Sequence, residues 1–389
     1  MNRRELTVLF ASVFACGCGG GGSSAPAPAP APSPTPAPAP ASPQLTTLNS
    51  SLQSPWGLAF LPNGEMLVTQ KAGSILRLAA DGRSTVATLT GVPAVASSGQ
   101  GGLLDIALDP DFASSPYVYF CYAEPGTGSE AGKSGTAVAR GQLVGNALQG
   151  GTVIFRQAPK VSGNLQYGCR LVFAHDKNLF VALGERALGS PAQDLAQTLG
   201  KVVRIARDGS IPAGNPSLGA GALPGIWSLG HRNPEGAALH PQTGELWISE
   251  HGPQGGDEIN ISRSGGNYGW PIKSYGCNYG DPVGDACRIG GGTHAPIYVE
   301  PLTYWVPTSI APSGLAFYTG SMFPEWQGQL FSGSLAGQAL WRLQLDGNTV
   351  VAREAMYGNL GERFRDVRQA PDGALLLLTD SGKLMRLAR

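Results

Sequence analysis

Residues 56 to 78 read WGLAFLPNGEMLVTQKAGSILRL. An apolar strand runs into a turn through Asn63 and Gly64, a second strand follows, and after a glycine turn a third. Asn-Gly between apolar runs is a strong short-range hairpin signal, because both residues tolerate the positive φ that a tight two-residue turn demands. The same pattern recurs as LLDIALDPDFASSPYVYFCYAEP (103–125), CRLVFAHDKNLFVALGER (169–186), EGAALHPQTGELWISEHGP (235–253), SGLAFYTGSMFPEWQGQLFSGSLAGQALWRL (313–343) and RDVRQAPDGALLLLTDSGKLMRL (365–387), which makes six units.

No sustained 3.6-residue periodicity separates the units, so the fold class is all-β. A single meander of three or four short strands cannot cover both of its faces. Six arranged radially can, each sheet packing on the next, and the expected architecture is a six-bladed β-propeller over residues 44–389. The stretch QLTTLNS (44–50) is expected to supply the outer strand that closes the ring on the last blade. The units are unevenly spaced, so some connections are long, and long loops on a rigid scaffold are where sites are built.

Composition agrees. The chain has 56 Gly and 31 Pro, and Lys+Arg equals Asp+Glu at 27 each. Glycine and proline on this scale mean many tight turns. The balanced charge supplies no basic field for nucleic acid.

Ahead of the repeats, MNRRELTVLFASVFACGCGGGGSS joins a basic start to a short apolar run and small residues, the pattern of an export signal over 1–18. The VFAC and ACGC steps resemble a bacterial lipoprotein signal, in which Cys16 or Cys18 becomes the lipid-bearing residue; plain cleavage without lipid is the alternative. Residues 19–43 pass from Gly/Ser into APAPAPAPSPTPAPAPASP, a stiff polyproline spacer of roughly 3 Å per residue. The expected location is periplasmic or cell-surface, with the membrane touched only through a lipid anchor. Export also permits disulfides. Cys277 and Cys287 flank a Gly/Asp/Pro loop and are expected to pair. Cys121 and Cys169 lie in separate apolar strands, and are either paired across neighbouring strands or buried as free thiols.

The densest polar stretch is GHRNPEGAALHPQTGELWISEHGPQGGDEINISRSGGNYGWP (230–271). Within it HGPQGGDE offers a histidine, the backbone carbonyls of Gly252 and Pro253, and the carboxylates of Asp257 and Glu258. Oxygen donors in that density suit calcium better than zinc, although a solvated Gly/Asp loop has the same composition. Arg232 and Asn233 precede a proline turn. Arg363 and Arg365, two apart in a strand, share a face and form a fork suited to carboxylates, or else link blades. His175 and His240 fall in hairpin turns and are expected at the surface, while Trp56, Trp227, Trp270, Trp305 and Trp341 are expected to pack blades.

Taken together, GQGGLLDIALDPDF, LGHRNPEGAALHP, SEHGPQGGDEIN, GGNYGWP, PTSIAPSGLAFY and RFRDVRQAPDG resemble the soluble PQQ-dependent sugar dehydrogenases, the aldose sugar, glucose and sorbosone dehydrogenases, over about residues 52–389. The resemblance implies a six-bladed propeller that oxidises an aldose to a lactone with PQQ and calcium and passes the electrons to an acceptor. It implies cofactor contacts from Gln100, Arg232, Asn233, His251, Asp257, Ser309, Arg363 and Arg365, and calcium held by the carbonyls of Gly252 and Pro253. The family's base is a histidine four residues before the arginine of a G-x-R-[LI]-V-F strand. Counting back from Arg170 in QYGCRLVF gives Gln166, whose amide cannot take up a proton. Ala336 likewise stands at or near a lysine that contacts the cofactor in several relatives. Three readings follow: a dehydrogenase with a substitute base such as His251, a tethered binding module without turnover, or a calcium-dependent hydrolase of the lactonase type.

Overall fold

The computed structural model describes residues 41–389 continuously, with isolated positions at 14, 15, 17, 19, 20 and 22 before them. The proposed lipid sites Cys16 and Cys18 lie outside the described residues, as does most of the 19–43 spacer. No helix among the described residues is long and apolar enough to cross a membrane.

Twenty-four strands build six four-stranded antiparallel sheets. After β1 (Gln44–Asn49), blade one is β2 to β5 (Pro55–Phe60, Met66–Gln70, Ser74–Leu78, Thr85–Thr88) and blade two is β6 to β9 (Leu103–Leu108, Tyr117–Pro125, Ser134–Val144, Ala147–Arg156). Blade three is β10 to β13 (Gly168–Phe173, Leu179–Leu183, Lys201–Ile205, Ile226–Leu229) and blade four β14 to β17 (Pro234–Leu239, Leu246–Glu250, Asp257–Ser262, Thr303–Trp305). Blade five is β18 to β21 (Pro312–Phe317, Leu330–Ser334, Leu340–Asp346, Thr349–Met356). Blade six is β22 to β24 (Phe364–Gln369, Leu375–Thr379, Leu384–Ala388), completed by β1, which pairs with β24 from Gln44 opposite Ala388. The ring therefore closes with the first strand of the propeller hydrogen-bonded to the last, as the 44–50 stretch predicts, so that the two ends of the propeller meet in one blade.

The first strand of every blade lies innermost, and all six carry a register shift where they enter the sheet: at Pro55/Leu58, Leu103/Ile106, Gly168/Arg170, Pro234/Gly236, Pro312/Leu315 and Phe364/Asp366. A bulge adds local twist and re-aims the side chains beside it. Six of them at one end of the ring turn the residues just before the inner strands toward the axis.

The axis itself is plugged by charge. Arg170, only 1% exposed, places Nη1 2.9 Å from Asp366 and 3.3 Å from Asp105. Arg368 reaches the same two carboxylates at 2.9 and 2.8 Å. Trp56 lies 4.0 Å under the Arg170 guanidinium. The inner strands approach so closely that a Cβ on Gly57 would sit 2.8 Å from Asp105 Oδ1, and one on Gly314 2.2 Å from Asp366 Oδ1. Around this plug, apolar clusters fill the wedges between neighbouring blades, as between blades two and three, where Leu104, Tyr119, Val138, Leu171 and Val181 pack together.

Cys121 on β7 and Cys169 on β10 form a disulfide between blades two and three, with Cα atoms 5.8 Å apart and 48 residues between them. Closing a loop of that length in the unfolded chain is worth roughly 4 kcal/mol by chain entropy. The double variant Cys121→Ala/Cys169→Ala is expected to lose about 2–4 kcal/mol in denaturant unfolding, and a loss below about 0.5 kcal/mol would show that the bridge constrains nothing.

Candidate active site

A cavity of about 800 Å³ opens at the end of the ring where the bulges lie. Its walls are the segments that enter inner strands and those that leave second strands. Gln100 precedes β6, Leu165 and Gln166 precede β10, Arg232 and Asn233 precede β14, and Ser309 and Ala311 precede β18. Glu185 to Gly189 follow β11, and His251 to Pro253 follow β15. Gln100, Gln166, Arg232, Asn233, His251, Gly252, Pro253, Asp257 and Ser309 thus come together from blades two to five, although the chain separates them by up to two hundred residues.

Arg363 and Arg365 do not line this cavity. Asp380, just after β23, captures both: Arg363 Nε at 2.9 Å and Arg365 Nε at 2.9 Å. Arg365 Nη1 also pairs with Glu235 at 2.6 Å, and that carboxylate lies 3.9 Å from His251 Nε2. The fork is therefore neutralised within the protein and backs the cavity wall. Burial by itself would raise the Glu235 carboxyl, but His251, Arg365 and Asn233 hold it below its ordinary value.

Arg232 is different. Its Nη1 donates to the carbonyl oxygens of Gly252 (2.7 Å) and His251 (3.2 Å), and Nη2 donates to Tyr279 Oη (3.1 Å). Nε is buried with no partner, and no carboxylate pairs with this guanidinium among the described residues. A buried cation left without an ion-pair partner is costly, and a ligand carboxylate removes that cost. Trp270, expected from sequence to pack blades, instead lines the cavity with Arg232 5.2 Å over its ring.

Asp257 organises the carbonyl pair. Its Oδ1 accepts from the Gly252 N–H (2.8 Å) and Ser309 Oγ (3.1 Å), and its Oδ2 from the N–H groups of Ile310 (2.6 Å) and Ala311 (2.7 Å). The carboxylate is saturated by protein donors, and it ties the turn after β15 to the segment entering β18. Gly252 sits in so tight a turn that a Cβ there would be 2.3 Å from Gly255 O. The oxygens this loop offers to a cation are thus the backbone carbonyls of Gly252 and Pro253. Glu258, next along β16, points to the other face of its strand. Burial, with the neighbouring Glu250 carboxylate, pushes its carboxyl well above the ordinary range. The donor set, carbonyl oxygens beside an arginine with no carboxylate in contact, suits a polycarboxylate ligand, and a hard cation bound there would share the Gly252 oxygen with Arg232 Nη1.

Gln166 is held rather than free. Its Oε1 accepts the Ala187 N–H at 3.1 Å, its own N–H donates to Gln100 Oε1 at 2.5 Å, and its φ is +52°. Asn233 is fully committed as well, accepting the Gly168 N–H (3.0 Å) and donating to Glu235 (3.0 Å). His251 Nε2 lies 2.8 Å from Pro312 O. His231 is buried between Ser228 Oγ and Glu250 at 2.8 Å each, outside the cavity lining. His175 is exposed as expected, but His240 is only partly so, packed edge-on against Phe317. Ala336 is exposed, its N–H on Ile310 O (3.0 Å), one residue from the cavity-lining Ala311.

Three features escaped sequence reading. Glu185 places a carboxylate in the wall. Lys201, wholly buried, donates to the carbonyls of Pro191, Ala192 and Leu199 and so pins the loop that carries the Glu185–Gly189 wall. Tyr279 lies on the loop bridged by Cys277 and Cys287, whose Cα atoms are 5.1 Å apart, and the Cys277 backbone pairs with Gln254 beside the carbonyl turn. None of the three has a local signal, since each acts through segments brought near by the ring.

Comparison with known proteins agrees with this geometry. The pattern of the glucose/sorbosone dehydrogenase family matches residues 52–386. The aldose sugar dehydrogenase YliI of Escherichia coli (strain K12) is 43% identical over 349 residues, 88% of this chain and 91% of that one. The crystal structure of the soluble aldose sugar dehydrogenase from Escherichia coli in its apo form superposes with a TM-score of 0.83 at 42% identity, covering 89% of this chain and 99% of that one. The PQQ-bound aldose sugar dehydrogenase from Streptomyces coelicolor superposes with a TM-score of 0.71 at 30% identity, covering 90% and 99%. With the ring, the cavity and these likenesses in agreement, the chain belongs to the glucose/sorbosone dehydrogenase family.

Proposed function

We propose that this protein oxidises aldose sugars at C1 to the corresponding lactones, with PQQ and a calcium ion bound in the cavity described above. The observation that carries the reading is the unpaired Arg232 guanidinium beside the Gly252 and Pro253 carbonyls, in one cavity with Gln100, His251 and Ser309. Bound there, PQQ supplies a quinone that accepts a hydride, and calcium, held by those carbonyls, supplies Lewis acidity.

The chain's own residues do the rest. Arg232 binds carboxylate and balances the negative charge that reduction adds. Asp257 ties the turn that carries the two carbonyls to the segment entering β18 through its four hydrogen bonds. Gln100 and Gln166, linked to each other, shape the wall that faces them. Leu165, Leu188 and Tyr279, large apolar side chains that are exposed, ring the same cavity and offer a sugar an apolar face at its mouth. The amino-terminal segment supports export with lipid on Cys16 or Cys18, which mass spectrometry of the mature amino terminus tests.

The experiment is a titration of the metal-free protein with PQQ plus calcium, followed by an aldose such as glucose, while the quinone absorbance is recorded. Saturable binding and bleaching on sugar addition are expected. Binding without bleaching would leave a propeller that holds its cofactor without turnover, and no binding would leave a tethered interaction module.

A further inference from the structure

Glu185 is 1% exposed and lines the cavity. Its Oε2 accepts the N–H groups of Leu188 and, at 2.5 Å, Gly189. Its Oε1 accepts no backbone hydrogen bond among the described residues, and the indole of Trp270, which lines the same cavity, also acts on this carboxyl. The same segment grips Gln166 twice, through the Arg186 N–H on its carbonyl (3.2 Å) and the Ala187 N–H on its side chain (3.1 Å). The carboxylate is therefore anchored next to the position where the family's base would stand.

We infer that Glu185 is the general base of this enzyme, taking the proton of the sugar's C1 hydroxyl on Oε1. The inference rests on the dehydrogenase reading. In the step, the O1–H bond breaks and its proton passes to the Glu185 carboxylate. The C1–H bond breaks and C1=O forms, so the sugar loses two electrons and two hydrogens and becomes the lactone, and bound PQQ would supply the acceptor for the hydride. The quinone is the oxidant, and the proton later leaves Glu185 for solvent through the open mouth.

The surroundings suit the task. Burial raises the Glu185 carboxyl above its ordinary value, while the Gly189 and Leu188 N–H groups, the Arg232 charge and the Trp270 indole N–H oppose that rise. A base whose proton affinity is moved toward the working pH transfers protons more effectively than an ordinary carboxylate. The charged groups facing it are Arg232, from the turn before β14, and Arg186 on its own segment. His251, the substitute base that sequence alone favours, has Nε2 engaged by Pro312 O at 2.8 Å.

The test is Glu185→Gln, which keeps an oxygen for the Leu188 and Gly189 N–H groups. PQQ binding, followed by absorbance, is expected to persist while kcat falls about a hundredfold or more. The wild-type kcat profile should fall on its acid side as Glu185 takes a proton, and that limb should vanish in the variant. Infrared difference spectra of the cofactor-free wild type should show a carboxyl band titrating above the ordinary carboxylate range and absent from Glu185→Gln. Glu185→Asp, which keeps a shorter carboxylate, should retain the acid limb with reduced kcat, and it serves if the amide variant folds poorly. A Glu185→Gln enzyme within about threefold of wild type, or one that keeps the acid limb, overturns the assignment. A wild type that binds PQQ but never bleaches with any aldose overturns the dehydrogenase reading and this assignment with it; the infrared titration then shows whether the carboxylate was poised as described.

Discussion

Replacing Arg170 by methionine should be the most destabilising single change in the propeller. The guanidinium pairs with Asp366 and Asp105, donates through Nε to Glu235 O at 2.6 Å and through Nη2 to Arg365 O at 3.2 Å, and stacks on Trp56. Methionine fills the space but leaves two carboxylates, each at most 1% exposed, sharing Arg368 alone. Removing one partner of a buried ionic cluster costs about 3–5 kcal/mol, because a desolvated charge is left uncompensated. For a domain of this size that is a drop of about 4–7 °C in thermal midpoint. Arg170→Lys should recover little, since an ammonium cannot span the two carboxylates and the two carbonyls that the planar fork reaches. A midpoint within about 2 °C of wild type for Arg170→Met would show that water or rearrangement compensates the plug, and the account of the axis given above would fail.

The second large effect is expected at Asp257, and it should appear in binding before it appears in stability. Asp257→Ala strips the acceptor from three backbone N–H groups and from Ser309 Oγ. Each buried donor left unsatisfied costs about 1–3 kcal/mol. The loop can recover part of that by turning toward water, and in doing so it displaces the Gly252 and Pro253 carbonyls. Misplacement worth about 3 kcal/mol corresponds to a loss of about a hundredfold in affinity. Calorimetric titration with PQQ at fixed calcium should show it, and raising calcium should restore part of the binding by mass action. Asp257→Asn, which keeps one oxygen and turns the other into a donor facing N–H groups, should fall between. If Asp257→Ala binds PQQ like the wild type, the carbonyl pair is positioned by something other than this carboxylate.

The two variants probe separate parts of one arrangement. Arg170 belongs to β10, whose first residues follow directly from Gln166, and Asp257 opens β16 of the next blade. A charge plug at the axis makes the inner strands rigid. Rigid strands let short segments hold polar atoms to within a few tenths of an ångström, which is what binding a charged cofactor in a defined pose demands. The loop carrying Glu185 is bound to this frame through Lys201 beneath it and through Gln166 beside it.

Much of this was legible in the chain. Period-two apolar runs broken by Asn-Gly, Asp-Gly and Gly turns are local signals, and six repetitions leave a closed ring as the arrangement that buries every sheet; even the closing strand at Gln44–Asn49 could be placed. Most of the cavity's polar residues were legible for the same reason, since Arg232, Asn233, His251, Gly252, Pro253 and Asp257 crowd into one short stretch. What the sequence by itself could not decide was which charges remain free. Arg363 and Arg365 look on paper like a carboxylate fork, but Asp380, just after the neighbouring β23, and Glu235 already pair with them. Arg232 looks structural beside its proline turn, yet folding leaves it with no carboxylate in contact, only the Glu185 charge facing it across the cavity. Glu185 has no motif at all and becomes a wall of the cavity only because blade three lays the end of β11 against the start of β10. Secondary structure follows from interactions between near neighbours in the chain. The ionisation and availability of a side chain follow from desolvation and from partners that only the closed ring brings within reach.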